Sequence, residues 1–519
     1  MAKFGFGLRK KAAPAGAAPV DIDAPIAAST STVLEQPQPY LHLVRQSKSQ
    51  PNALAAVTGL QGENTELTFR QLFEQSKKIA AVLREAGVKP GQFVATSVPA
   101  SQNLQFMAAL LHEATIGALA PATSFDANLN KMVDWVVSSQ YLQGFPKERT
   151  ILVDDEFYRQ VNATSTVIDP QVYPSMDSIC RVVFSSGTTG TPKAIPFAIG
   201  MLEARNEYSR NAWMSVAPFM SLIGLPAITG FQTAYATLVS GQPYFTPGDG
   251  AHNLAMIHKY QIASFKASPG QLAELLPVVQ KSPQLAASLK VAQTAGSFLP
   301  NELALAFQQA AGCQVINLYG ATEVGLIARR PEITDDATDL GPLVEGARVE
   351  IVDAKNNVLP VGQTGSIRWH REFMATEYLH NPQATAKSFI DGWFYPGDSG
   401  YLDTDGHLHL VGRNSELINA GGVKLNPSVL DEWVKRHPKV ADAAAFSFVG
   451  GLGVEAFALA VVVPADFDRQ GLLDAFKKNF GGLAPSVIIA VPKIKRNEMR
   501  KVMRAEMAKD LEAILAKQR

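Results

Sequence analysis

Between Leu67 and Gly87 the chain carries a helical period that is closed at both ends. Thr68 and Gln71 have capping-box spacing, Leu72, Ile79 and Leu83 fall on one face, and Gly87 with Pro90 supplies the stop. A strand-like run follows, Phe93-Val94-Ala95-Thr96-Ser97-Val98, and then a second helical stretch from about Asn103 to His112. Val291-Ala292-Gln293 and Val315-Ile316-Asn317-Leu318 read as further short buried strands flanked by helical segments. Such alternation predicts an α/β fold of layered sheets, because each helix must bury its apolar stripe on a sheet. At 519 residues the chain is too long for one compact core, so more than one domain is expected. No repeat occurs at solenoid spacing.

After about residue 345 the texture changes. Val349–Val352 and Gly365–Trp369 are short strands with an Asn356-Asn357 turn between them, and Asp405-Gly406 punctuates another pair ending in His407–Val411. This predicts a β-rich subdomain over about 345–413. From Asn414 a helix starts near Pro427-Ser428 and stops at His437-Pro438. Paired strands follow at Ala443–Val449 and Ala456–Val463, then more helix ending in Val502–Lys517. The expected organisation is a flexible tail over 1–32, a large N-terminal domain over 33–413, and a small mobile α+β C-terminal domain over 414–519, with a hinge near Arg413–Ser415.

Composition excludes several classes. Charged residues make up 18% and the net charge is zero, so no global field favours nucleic acid or an anionic membrane. No apolar run is long enough to span a bilayer, and the Ala/Pro-rich start has no signal-peptide core, so a cytoplasmic location is the default. Cys180 and Cys313 border apolar runs and read as small buried hydrophobes rather than nucleophiles.

Four segments carry chemistry. Ser185-Ser186-Gly187-Thr188-Thr189-Gly190-Thr191-Pro192-Lys193 follows the apolar run Val182-Val183-Phe184. Its glycines admit backbone N–H groups to phosphate oxygens, and its hydroxyls and Lys193 add donors and charge. It is not a Walker loop: Pro192, not Gly, precedes Lys193, and Ala194 follows where a magnesium-binding hydroxyl would stand. Tyr319-Gly320-Ala321-Thr322-Glu323 sets an aromatic ring, a close-approach glycine, a hydroxyl and a carboxylate after a strand; alone it is any strand-to-helix turn. Gly392-Trp393-Phe394-Tyr395-Pro396-Gly397-Asp398, followed by Gly412-Arg413, places a carboxylate where it can accept two ribose hydroxyls; alone it is a hairpin turn. Arg496-Asn497-Glu498-Met499-Arg500-Lys501-Val502 is basic; alone it is a solvated face.

In this order and spacing, from about Leu67 to Val502, the four segments resemble the adenylate-forming enzymes: acyl- and aryl-coenzyme A synthetases, peptide-synthetase adenylation domains and firefly luciferase. Tyr378-Leu379-His380-Asn381-Pro382 and Gly421-Gly422-Val423-Lys424-Leu425-Asn426-Pro427 agree with the same pattern. The resemblance implies activation of a carboxylic acid by MgATP to an acyl-adenylate, then transfer to coenzyme A.

It also implies roles. Ser185, Ser186, Gly187, Thr188, Thr189, Gly190 and Lys193 form the phosphate loop. Thr322 contacts the α-phosphate and Glu323 coordinates magnesium. Tyr319 and Gly320, with the backbone of Ala295, Gly296 and Ser297, hold adenine. Asp398 takes the ribose hydroxyls with Arg413 assisting. Lys501 bridges the incoming carboxylate and the α-phosphate. Ser415 is the hinge, and Gly421 and Gly422 line a thiol tunnel once the C-terminal domain has rotated. Ala194 stands where Gly usually follows Lys193, and three further positions depart from the family: Ser415 at the hinge, Ser221 where a His often falls, and Arg500 where Gly usually precedes the lysine. These leave open an altered domain equilibrium, and a non-catalytic nucleotide-binding regulator as a second class of function. A stand-alone ligase loading a carrier protein in trans is a third reading. Apolar segments at Trp213–Ile228, Ala267–Gly270, Ala295–Phe298 and Tyr319–Leu326, with Met214, Phe219, Met220 and Ile223 among them, favour a fatty or aromatic acid over a charged one.

Overall fold

A computed structural model describes residues 39–59, 65–119, 127–164, 174–185, 193–212, 214–413, 416–420, 423–449, 455–480, 483–497 and 500–517. The tail expected over 1–32 lies outside them. The first helix signal is realised as Phe69–Glu85. Thr68 Oγ1 accepts from the Gln71 N–H at 3.2 Å, and Gln71 Oε1 accepts from the Thr68 N–H at 2.9 Å. The reciprocal bonds satisfy donors that a helix start otherwise leaves open.

Two larger sheets form the N-terminal part. One has six strands in the order Thr150–Leu152, Trp135–Ser138, Phe93–Ser97, Ile116–Leu119, Ile179–Ser185, Lys193–Ala198, parallel until the final antiparallel pair. The other has five, in the order Gly325–Arg330, Gln314–Ala321, Val291–Ala295, Ser264–Ala267, Phe219–Ser221, with only the first pair antiparallel. Both faces of the second sheet are covered, as parallel strands require. Phe265, Ala267 and Ala292 pack into the core under the Gly250–Lys259, Pro269–Lys281 and Asn301–Ala311 helices. Val291, Ile316 and Leu318 point to the opposite face.

A seven-stranded sheet follows between Asp339 and Arg413. Arg348–Val352 and Gly365–His370 pair antiparallel, and so do Asp398–Leu402 and His407–Arg413. Beyond Glu416 the Asp442–Val449 and Glu455–Val462 strands pair antiparallel, and Val487–Ala490 adds on in parallel. Two apolar clusters draw only on residues from Ile418 onward, with Phe457, Leu459 and Phe476 in one and Phe446, Ile494 and Leu511 in the other. Cys180 and Cys313 are free and buried, and burial pushes both thiols up to about 12. Among the described residues no helix is long and apolar enough to cross a membrane.

An ionic clamp closes one edge of the seven-stranded sheet. His409 Nδ1 lies 3.2 Å from Asp336 Oδ2, and its Nε2 lies 2.9 Å from Asp403 Oδ2. The bond to Asp336 raises His409 to about 9, and the same bond lowers Asp336 to about 2. The histidine contribution is complete below its ordinary value of 6.5 and is lost as pH rises through 9. The aspartate contribution is complete above its ordinary value of 3.8 and is lost as pH falls toward 2. The clamp is therefore strongest from about pH 4 to 6.5. His409→Gln should cost roughly 1–2 kcal/mol at pH 6 and distinctly less at pH 10, read by urea unfolding. An equal loss at both pH values would show that the clamp is not ionic.

Candidate active site

Asp398 opens the Asp398–Leu402 strand directly opposite Arg413, its register partner. Arg413 Nε donates to Asp398 Oδ1 at 3.0 Å, and the Tyr319 hydroxyl donates to Oδ2 at 2.5 Å. Burial beside this carboxylate raises the Tyr319 phenol well above its ordinary range, so the hydroxyl remains a donor. The Tyr319 ring stands edge-on to the buried Trp369, with centroids 5.1 Å apart. Gly296, Ser297, Tyr319, Gly320, Asp398 and Arg413 thus line one cavity of about 220 Å³.

The strand carrying Tyr319 runs to Ala321, past the expected end at Leu318, because it pairs antiparallel with Gly325–Arg330. Thr322 and Glu323 therefore sit in a turn between two strands rather than before a helix. A Cβ on Gly320 would lie 2.2 Å from the Gly325 carbonyl oxygen, so this turn requires glycine there.

The second cavity, about 370 Å³, is lined by Lys193, Ala295, Thr322, Glu323, Tyr378 and Lys266 among others. The Tyr378 hydroxyl donates to Glu323 Oε1 at 2.8 Å, and Lys193 Nζ lies 4.6 Å from the centre of the Tyr378 ring. Arg205 holds the turn from behind. Its guanidinium donates to the carbonyls of Thr322 at 2.9 Å, Glu323 at 2.6 Å and Phe373 at 3.0 Å. Burial pulls its pKa down to about 9. Nothing in the sequence singles out Arg205, one of two arginines in the Ile199–Ala212 helix.

Lys501 joins the two cavities: it lines both, as do Gly296, Leu318, Gly320, Ala321 and Arg413. Its loop is closed by an Arg496–Val502 bridge and by Asn497. The Asn497 N–H donates to the Lys501 carbonyl at 2.9 Å, and Asn497 Oδ1 accepts from the Lys501 N–H at 2.9 Å. Lys501 Nζ stands 3.3 Å from Glu416 Oε1, and burial lowers its pKa. Arg500 adopts φ +61°, the left-handed region, which explains why glycine suits this position. Its guanidinium pairs with Glu274, and Arg436 pairs with Glu302 at 2.9 Å. A Cβ on Gly270 would meet Arg500 Cβ at 2.3 Å, so the loop docks on bare backbone.

The structure brings together Lys193, Ala295, Gly296, Ser297, Tyr319, Gly320, Thr322, Glu323, Asp398, Arg413 and Lys501. Ser185 and Lys193 are register partners at the base of a hairpin. Ser186, Gly187, Thr188, Thr189 and Gly190 between them lie outside the described residues, as do Ser415, Gly421 and Gly422. The expected apolar pocket needs correction. Met214, Phe219 and Met220 are all buried: Met220 packs with Phe265 under the helices, while Phe219, on the opposite face of its strand, packs with Met214 and Ala236. Ile223, Ile228 and Leu326 do line the cavity, but with Gln232 and Lys266 beside them.

Among the described residues no group of three or more His, Cys, Asp or Glu could hold a metal by itself. A hydroxyl and a carboxylate at one wall, Thr322 and Glu323, fit a hard cation that takes its remaining oxygens from a phosphate.

The family described as AMP-binding enzyme matches residues 43–379. Asp398, Arg413 and Lys501 lie beyond that span. The 4-chlorobenzoate–CoA ligase of an Arthrobacter species is 25% identical over 500 residues, 90% of this chain and 94% of that one. ATP-bound MatB from Rhodopseudomonas palustris superposes with a TM-score of 0.79 at 19% identity, covering 92% and 99% of the two chains. The O-succinylbenzoate coenzyme A synthetase MenE of Bacillus subtilis, in complex with ATP and magnesium ion, gives 0.78 at 21%, covering 90% and 99%.

Arg205→Met should strip donors from three carbonyls and destabilise the chain by about 2–4 kcal/mol. Thermal unfolding should register this as a midpoint lower by several degrees. An unchanged midpoint would mean that the turn holds without Arg205.

Proposed function

The chain belongs to the AMP-binding enzyme family, and from that premise we propose that it is an AMP-forming acid–thiol ligase. It activates a carboxylic acid with ATP and transfers the acyl group to coenzyme A. In the first step a carboxylate oxygen attacks the α-phosphorus and pyrophosphate leaves. In the second the coenzyme A sulfur, its proton lost, attacks the acyl carbon and AMP leaves. The observation that carries this reading is the position of Lys501 on the walls of both cavities.

The task of the site is charge. A carboxylate must approach a phosphate that repels it, and at 4 Å two unit charges interact by about 4 kcal/mol at an effective dielectric constant near 20. Lys501 would stand between the two anions and offset that repulsion where the new bond forms. Arg413 and Tyr319 fix both oxygens of Asp398 in one plane, which prepares the carboxylate to accept from a ribose diol. Lys193 is the charge on the far side, toward the departing pyrophosphate. Magnesium, when bound, supplies further positive charge there; Glu323 would hold it, with Thr322 alongside. Positioning and charge dominate such phosphorus chemistry, and every group here is held by a second one.

Residues after Arg413 form their own apolar clusters, which supports a unit that turns about Ser415 between the two steps. Lys501 would then leave, and Gly421 and Gly422 would approach the thiol channel. The ion pairs of Arg500 with Glu274 and Arg436 with Glu302 favour the first of these stations. Ile223, Ile228 and Leu326 offer an apolar wall to a fatty or aromatic portion of the acid. Two buried free cysteines suit a reducing cytoplasm.

A panel of carboxylic acids, assayed with ATP and magnesium for pyrophosphate and with coenzyme A for thioester, tests the reading. Both products should appear with at least one acid. Pyrophosphate without a coenzyme A thioester would move the acceptor to a carrier protein. ATP binding with no pyrophosphate from any acid would make the chain a nucleotide-binding regulator.

A further inference from the structure

One imidazole staples two turns together. Asp336 Oδ1 accepts from the Thr338 N–H at 2.8 Å and from the Thr338 hydroxyl at 2.7 Å. Asp403 Oδ1 accepts from the Asp405 N–H at 3.0 Å and from the His407 N–H at 2.8 Å. Each aspartate thereby closes its own turn and keeps its second oxygen for His409, which stands between them. The Tyr401 ring lies flat on the imidazole, with centroids 4.6 Å apart and planes within 3°. Both ring nitrogens face carboxylate oxygens, and only the imidazolium donates from both. A neutral ring serves one turn and turns a lone pair on the other. The bond to Asp403 is the shorter, 2.9 Å against 3.2 Å, and Asp336 is the more exposed carboxylate, so Asp336 is the one released to water.

The turn at Asp336 is also a wall of the smaller cavity, the one formed by Tyr319, Asp398 and Arg413. Ala337, Thr338 and Leu340 lie on that wall, and Leu410 joins them from the strand that carries His409. The Leu410 N–H donates to the Thr338 carbonyl at 2.9 Å. The wall is therefore tied to the His407–Arg413 strand twice, by one backbone bond and by the ionic bond of His409. The other charged groups around the clamp are Asp339, whose Oδ1 lies 3.2 Å from His407 Nδ1, and Arg330, which donates to the Asp336 carbonyl at 3.2 Å. The bond to Asp336 raises His409 to about 9, with Asp403 and Asp339 adding to it. Its contribution is thus complete at neutral pH and is lost as pH rises through 9.

We propose that His409 is a positioning residue for the nucleotide: as a cation it holds the Ala337–Thr338 wall against the strand that ends in Arg413, and as a neutral ring it releases that wall. Nucleotide affinity then depends on a proton held behind the wall, on a group that meets neither the nucleotide nor the reacting atoms. This rests on the reading of the smaller cavity as the nucleotide site, and is independent of which acid or thiol the chain uses.

Calorimetric binding of AMP to the full chain tests this from about pH 7 to about pH 10.5, in wild type, His409→Gln and Asp403→Asn. At neutral pH wild type should bind AMP about five- to tenfold more tightly than His409→Gln, part of what a hydrogen bond between charged groups contributes. That ratio should fall toward one at the alkaline end, with its midpoint near 9. Lysines and phenols that titrate in the same range act on both proteins and cancel in the ratio. Asp403→Asn should keep its advantage over His409→Gln throughout, because an amide can donate to Nε2 of the neutral ring while Nδ1–H serves Asp336. A merely structural role would weaken binding equally at every pH and give Asp403→Asn no such protection. A ratio constant across the range, equal binding at neutral pH, or loss in Asp403→Asn with the wild-type midpoint would overturn the proposal and leave the cavity a nucleotide site. No AMP binding by wild type at any pH would overturn it together with the nucleotide reading. The expected midpoint without pyrophosphate from any acid would leave it standing and sink the ligase reading.

Discussion

The site depends on how one ammonium group is delivered. Lys501 belongs to the part of the chain after Glu416, yet it lines cavities built by strands some two hundred residues earlier. The Asn497 side chain and backbone close its loop, Glu416 meets its charge, and the loop rests on Gly270, where any side chain would block the approach. The other proposed roles presuppose that delivery. Asp398 can orient a ribose and Lys193 can face a leaving group, but neither offsets the repulsion between two anions at the point of bond formation.

Rigidity and release are balanced around this loop. Arg500 in a left-handed conformation costs about 1–2 kcal/mol, which its pairing with Glu274 offsets only in part because both groups are about half exposed. The Thr322–Glu323 turn has no such looseness. Arg205 binds three carbonyls from below, Tyr378 holds the Glu323 carboxylate, and Gly320 lets two strands meet at backbone distance. Among the described residues proposed to hold the nucleotide, Tyr319 and Asp398 are fixed in sheets. The group proposed to leave between steps is held by exposed ion pairs that can exchange with water.

Local signals were legible and long-range ones were not. The Thr68–Gln71 box, the Asn103–His112 helix and the 349–369 hairpin announce themselves within a few residues of sequence. By its own apolar run the Tyr319 strand ends at Leu318, three residues early, because its last residues are fixed by pairing with Gly325–Arg330 rather than by their own propensity. The sequence marks Tyr319 by its ring, whereas its hydroxyl bonds Asp398, 79 positions away. Arg205 and Lys266 carry no pattern at all. Arg205 is one of two arginines in an ordinary helix and Lys266 the one cation of a short strand, and only the fold turns the first toward a buried turn and the second into a cavity. Pocket polarity failed for the same reason: Met214, Phe219 and Met220 are apolar residues of the right segment that face the core.

Separating the half-reactions in Lys501→Ala tests the account most directly. Acid-dependent pyrophosphate release should fall by at least about 100-fold, since a charge facing both reacting anions is gone. Thioester formation from supplied acyl-adenylate and coenzyme A should stay within a few-fold of wild type. An equal fall in both steps would contradict the account, because it would mean that Lys501 supports the cleft as a whole rather than the first bond made within it.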